Sequence, residues 1–237
     1  MNDYIWRILF VLIPSFLALI YGIGRVFPRT HGLYFRMPTM AVACLFMAHL
    51  SYFTLIITGN SFDTEVNIGL LGGLGSALFF CTQNTNPVSS IYYDPKNDNS
   101  KSRHFPWIAP IVIMVTYVVT EIGWYCQCDT FGFSYWIGIV GSFGLISAIN
   151  ARTAFTTLRF ALVPDEKFGF VSCVRPYNIV LTCFLILTTV EKYIRYLWVS
   201  SVIEWILMLL FYIVFAVNIL LLLPLQERGR VKFLTSL

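Results

Sequence analysis

Seven stretches of the chain are apolar over roughly the 20 residues a helix needs to cross hydrocarbon. They are Tyr4–Ile23, Met37–Gly59, Val66–Gln83, Trp107–Gln127, Phe133–Ala151, Tyr177–Val199 and Val202–Leu223. Polar connections separate them, some as short as Asn60 to Glu65; the longest run from Asn84 to Pro106 and from Arg152 to Pro176. Pro38 and Pro176 fall near proposed helix starts, where a missing N–H costs nothing. The sixth and seventh spans meet through Ser200-Ser201, a link so tight that they must form a helical hairpin. The pattern predicts an all-α, polytopic transmembrane bundle of about seven helices, with residues 1–237 forming a single integral membrane domain.

Charge adds an orientation. Arg25, Arg29 and Arg36 fall in the first loop, and Lys96, Lys101 and Arg103 in the third. Arg152, Arg159, Lys167 and Arg175 border the fifth, and Arg228, Arg230 and Lys232 follow the last span. Arg7, Lys192 and Arg195 are the three cations left for the other side, where Asp63, Glu65 and Asp129 lie. By the rule that basic loops stay cytoplasmic, the amino terminus is outside and the carboxyl terminus inside.

Composition removes the soluble alternative. The chain is 57% hydrophobic and 12% charged, against roughly 25% charged in soluble domains, and a water-soluble surface cannot be built from that. The lipid bilayer is thus the first partner. The net charge of +4 needs no nucleic acid, because anionic head groups attract cations in cytoplasmic loops. The start of the chain lacks the cleavage pattern of a signal peptide. The cysteines read as packing residues or idle thiols, Cys126 and Cys128 being too close in sequence to bridge.

Small residues mark where helices approach. The third span carries Gly69, Gly72, Gly73, Gly75 and Ser76, and the fifth carries Gly138, Gly141, Ser142, Gly144 and Ser147. This spacing permits close backbone contact in lipid, so the third and fifth spans are expected to form the central pair. A homodimer or a partner subunit using one of these faces is the alternative.

There is also a hint of duplication. Ser15-Phe16 precedes Arg25 by the interval that separates Ser142-Phe143 from Arg152, and a cation leads into a proline twice, at Arg36-Met37-Pro38 and Arg175-Pro176. Two three-helix units joined by a fourth helix, with the amino terminus outside, resemble the SWEET and PQ-loop families of small transporters, whose halves are parallel repeats. The chain departs from that pattern in having no Pro-Gln pair and no proline in its fifth span.

Ionisable groups inside a bilayer cost about 2.5–3.5 kcal/mol each at a helix centre, so each one needs a reason. The candidates for a ligand site are His49, Glu121, Glu191, Lys192, Arg195, Glu204 and Asn218. The carboxylates and cations among them fall in the outer half, and together they predict an outward-open polar cavity with His49 and Asn218 toward its floor. Against this stands snorkelling, by which Lys192 and Arg195 reach the interface and Glu204 sits in water.

Other chemistry is missing from the pattern. The three histidines are scattered, so no metal site is expected. The last span holds no lysine for retinal, and no cofactor is called for. Gly73-Leu74-Gly75-Ser76 lacks the second glycine of a serine-nucleophile turn. Three readings remain: a carrier of a small molecule, a seven-helix sensor for a small-molecule or lipid ligand that signals through a partner, and a lipid-modifying enzyme or accessory subunit.

Overall fold

Long apolar segments must satisfy their backbone polar groups internally, and a helix does this within a single segment. A computed structural model describes residues 2–29, 33–58, 68–85, 141–161, 169–194 and 201–236. Within them the chain is all-helical, with six long helices: α1 (Asn2–Tyr21), α2 (Leu33–Ile57), α3 (Ile68–Thr85), α4 (Gly141–Ala161), α5 (Gly169–Ile194) and α6 (Val202–Ser236). Beyond Tyr21, α1 continues through a π-helical turn, Gly22–Val26, into Phe27–Arg29.

Four stretches are long and apolar enough to cross a membrane: Ile5–Val26, Tyr34–Ile57, Cys173–Glu191 and Val202–Thr235. This is consistent with an integral membrane protein. A shorter apolar helix covers Gly69–Gln83. The expected fourth span and residues 133–140 of the fifth lie outside the described residues.

The described helices pack in chain order, α1 on α2, α2 on α3, α3 on α4, α4 on α5 and α5 on α6, and α6 returns to α1. They close a ring. Its interior is filled by fully buried Phe80, Phe184, Phe215, Tyr177, Tyr212, Leu181 and Leu222. Ile13, Leu17 and Ile20 of α1, with Ile203, Ile206 and Leu210 of α6, are exposed instead. An outward apolar face on two adjacent helices suits a hydrocarbon solvent.

Helix ends differ from the expected spans. Pro38 and Pro176 lie inside α2 and α5, and Pro224 lies inside α6, which runs on to Ser236. A proline in a helix leaves the carbonyl four residues earlier without its donor, and such breaks persist in a bundle where a neighbour replaces that donor. At Pro38 the neighbour is visible. The carbonyl deprived of its donor belongs to Tyr34, and Gln226 Nε2 of α6 donates to it over 3.4 Å. Gln226→Leu is expected to cost about 0.6–1 kcal/mol. It should cost close to nothing in a Pro38→Ala background, where residue 38 supplies its own N–H. Chemical unfolding of the four proteins in micelles checks this, and equal costs in both backgrounds would refute the pairing.

The glycine face of α3 is used differently from the expectation. A Cβ on Gly72 would lie 2.7 Å from the Cys44 carbonyl oxygen and 2.9 Å from the Ala48 nitrogen, both in α2. The closest backbone approach at this face is therefore between α2 and α3. Gly73 faces α4, where, among the described residues, a Cβ would meet only Ile146 Cδ1 at 3.4 Å. The third and fifth spans do pack, but more loosely.

Candidate functional site

A cavity opens between five helices, and each helix contributes positions spaced along one face. From α2 come Leu45, Ala48, His49 and Tyr52; from α3 Gly69, Gly73, Ser76 and Ala77; from α4 Ile146 and Asn150; from α5 Phe184, Thr188 and Glu191; from α6 Phe215. Intervals of three, four and seven residues are those that align side chains on a helix. Glycine and alanine at four of these positions leave the space. About 20 Å³ is open to water, room for roughly one molecule.

Two ionisable side chains from different helices meet this space. His49 and Glu191 are each 5% exposed. His49 Nδ1 lies 2.9 Å from the Leu45 carbonyl. A carbonyl oxygen only accepts, so Nδ1 carries hydrogen, and Nε2 is the atom at which the ring gains or loses its second proton. Tyr52 stands edge-on to the imidazole, with ring centroids 6.2 Å apart, and holds its plane. Thr188 turns its hydroxyl back to the Phe184 carbonyl at 2.8 Å, as threonines in apolar helices commonly do.

The cavity lies toward one end of the ring, where α2 and α5 finish and α3 begins. Away from that end the interior closes in two layers. Phe184 packs between Phe80 and Phe215 with its ring tilted against each, at centroid distances of 5.4 and 5.7 Å. Beyond the rings, Tyr177 Oη of α5 donates to Gln83 Oε1 of α3 over 2.7 Å. Tyr177 is 0% and Gln83 1% exposed. At 1.5 Å per residue, Tyr177 is about 21 Å along α5 from Glu191. At the cavity end, Trp6 of α1 stacks on Trp205 of α6 at 5.0 Å and meets Tyr212 edge-on at 5.4 Å.

No family model, curated protein or solved structure matches the chain. The site is therefore read from its own residues.

Of the seven residues singled out from sequence, the structure brings His49 and Glu191 together. Glu121 and Arg195 lie outside the described residues, and so does the side chain of Lys192. Glu204 is exposed at the start of α6, where it accepts from the Ser201 N–H at 3.1 Å while its own N–H donates to Ser201 Oγ at 3.2 Å. That reciprocal pair is a capping box, and Ser201-x-x-Glu204 was its signature in the sequence. Asn218 Nδ2 donates to the Val214 carbonyl at 2.8 Å, and the cavity meets α6 at Phe215 instead.

Asn150, Ser76 and Thr188 are polar lining residues that sequence reading missed. Asn150 lies one residue from the expected end of the fifth span. In fact α4 continues to Ala161, and Asn150 is 2% exposed inside it.

Proposed function

We propose that the chain is a seven-span membrane protein, amino terminus outside and carboxyl terminus inside, which carries a small polar solute by way of this cavity. The observation that supports it is the meeting of buried His49 and Glu191 across one space. Burying such groups without using them costs stability. The cation asymmetry assigns their end of the ring to the outside, while the aromatic and amide layers close the other half. With room for about one water, the cavity is in an occluded form. A solute enters when the outer helix ends part, and a ligand favours whichever form it binds better. On this reading α1–α3 and α4–α6 are the two halves of the 3+1+3 plan, rocking about a site between them.

The test is uptake into proteoliposomes of a panel of labelled sugars, amino acids and small carboxylates. Saturable uptake of at least one class is expected. Ser76→Leu and Asn150→Leu, which fill the cavity without touching its ionisable groups, should each slow it by about tenfold or more, the effect of roughly 1.4 kcal/mol. Uptake no greater than in empty vesicles across the panel, or full rates in both filled variants, would sink the carrier.

A further inference from the structure

We infer that the cavity opens toward the far end of the ring along the seam between α3 and α4, while the seam between α6 and α1 stays shut. The inference deepens the carrier reading and rests on it for the solute that passes; whether water enters the seam is measurable without any solute. If α1–α3 and α4–α6 rock as two halves, they meet along these two seams, so the choice between them fixes the route.

The seam between α6 and α1 is closed at both ends. At the cavity end Trp6 stacks on Trp205 and meets Tyr212 edge-on. At the far end a Cβ on Gly22 would lie 2.6 Å from Thr39 Cγ2 and 2.8 Å from Leu223 Cδ1, so α1, α2 and α6 are in close contact there. Between the two closures, Val11 and Ala18 of α1 share one apolar core with Phe215, Ile219 and Leu222 of α6. Ser15 turns its hydroxyl back to the Leu12 carbonyl at 2.9 Å. Water gains nothing by entering such a surface.

The seam between α3 and α4 is built differently. Its apolar contact is a small cluster, Leu70, Leu74 and Ala77 against Ile146 and Ile149, separate from the main core. Further along, both helices turn polar. Ser76 and Asn150 line the cavity. Two helical turns on, about 10 Å away, stand Gln83 on α3 and Thr157 on α4, with Thr153 between Asn150 and Thr157. A step of two turns keeps the same helix face, and Gln83, Thr153 and Thr157 are each no more than 2% exposed. The two threonine hydroxyls donate to carbonyls of their own helix at 2.7 Å and keep lone pairs with which to accept from water or a solute. Gln83 Nε2, and Ser147 Oγ next to Ile146 on α4, are buried without a hydrogen-bond partner among the described residues. Polar atoms in that condition call for an explanation, and a conformation in which water reaches them supplies it. At its end the route meets Tyr177, whose hydroxyl holds Gln83 Oε1 at 2.7 Å and keeps the seam closed in this form.

The experiment places one cysteine at a time in the full chain: Thr153→Cys or Thr157→Cys on one seam, Leu223→Cys on the other. The chain is held in lipid nanodiscs, where both membrane faces meet the solvent. Leu223 lies about as far beyond cavity-lining Phe215 on α6 as Thr157 lies beyond cavity-lining Asn150 on α4, so depth is matched. The probe is a charged methanethiosulfonate, and peptide mass spectrometry reads each site apart from the native cysteines. Thr157→Cys is expected to react about tenfold faster than Leu223→Cys or more, because labelling of a buried thiol follows how often its surroundings open. Thr153→Cys should do the same and covers a failure of Thr157→Cys to fold. Ile219→Cys, on the same face of α6, covers a failure of Leu223→Cys, and thermal unfolding is run on each variant. Folded α4 variants that label no faster than the folded α6 variants overturn the inference. If no solute of the panel enters proteoliposomes while Thr157→Cys labels fast, the carrier falls and the wetted seam stands. Uptake with both α4 sites unreactive does the reverse.

Discussion

Gly72→Ala is expected to destabilise the folded bundle by about 1–3 kcal/mol, and Gly72→Val by more, whereas Gly73→Ala next to it is neutral or stabilising. The contrast follows from what each new methyl group meets. At position 72 it would press on the Cys44 carbonyl oxygen at 2.7 Å and the Ala48 nitrogen at 2.9 Å. Both are backbone atoms of a packed helix and cannot swing aside, so α2 and α3 must separate. Separation loses dispersion contacts along the whole interface, and lipid supplies no hydrophobic drive to restore them. At position 73 the one neighbour among the described residues is the end of the Ile146 side chain at 3.4 Å, which can turn. There the alanine recovers up to about 1 kcal/mol of helix propensity. Unfolding in a graded denaturing detergent mixture, followed by helical signal, separates the two variants. Equal stability of Gly72→Ala and Gly73→Ala would show that α2 and α3 do not approach as closely as described.

That contrast also marks a limit of sequence reading. The run of glycines from Gly69 to Gly75 announces a close approach, yet adjacent glycines point to different neighbours, and only the packing says which. Helix existence was legible because an apolar run leaves few other options. Helix ends were not. Pro38 and Pro176 read locally as starts, but a helix inside a bundle tolerates a proline when another helix repairs the gap, as Gln226 does at Tyr34. The same error of placement made Asn150, Gln83 and Tyr177 look like boundary residues when all three are buried. For the cavity, polarity in an apolar run was enough to pick out His49 and Glu191. Their meeting was invisible, since it depends on which faces of α2 and α5 turn inward. Glu204 shows the opposite fault, a cap whose motif was present but was read as bare charge.

Tyr177→Phe should cost about 1–3 kcal/mol, the penalty for leaving a buried acceptor unsatisfied. The hydroxyl removed is the donor to Gln83 Oε1 at 2.7 Å, and Gln83 Nε2 already lacks a partner among the described residues. The variant thus strands both ends of one carboxamide at a site 1% exposed, where neither water nor a small backbone shift repairs the loss easily. Gln83→Leu takes away the amide itself; it leaves only the Tyr177 hydroxyl in need, and so should cost less. The double variant Tyr177→Phe, Gln83→Leu turns the layer into an apolar contact. It should recover most of the stability lost in Tyr177→Phe, because replacing both partners by groups of similar shape is nearly neutral. Recovery would carry a functional penalty if this layer is the inner closure of a carrier. A polar pair can exchange its bond for water when the helices part, whereas a phenyl ring beside a branched alkyl group would resist wetting. The double variant is then expected to be as stable as the wild type and slower in uptake. Stability that simply adds across the two substitutions would mean that Tyr177 and Gln83 are not paired, and an unchanged rate in the stable double variant would remove this layer from the path.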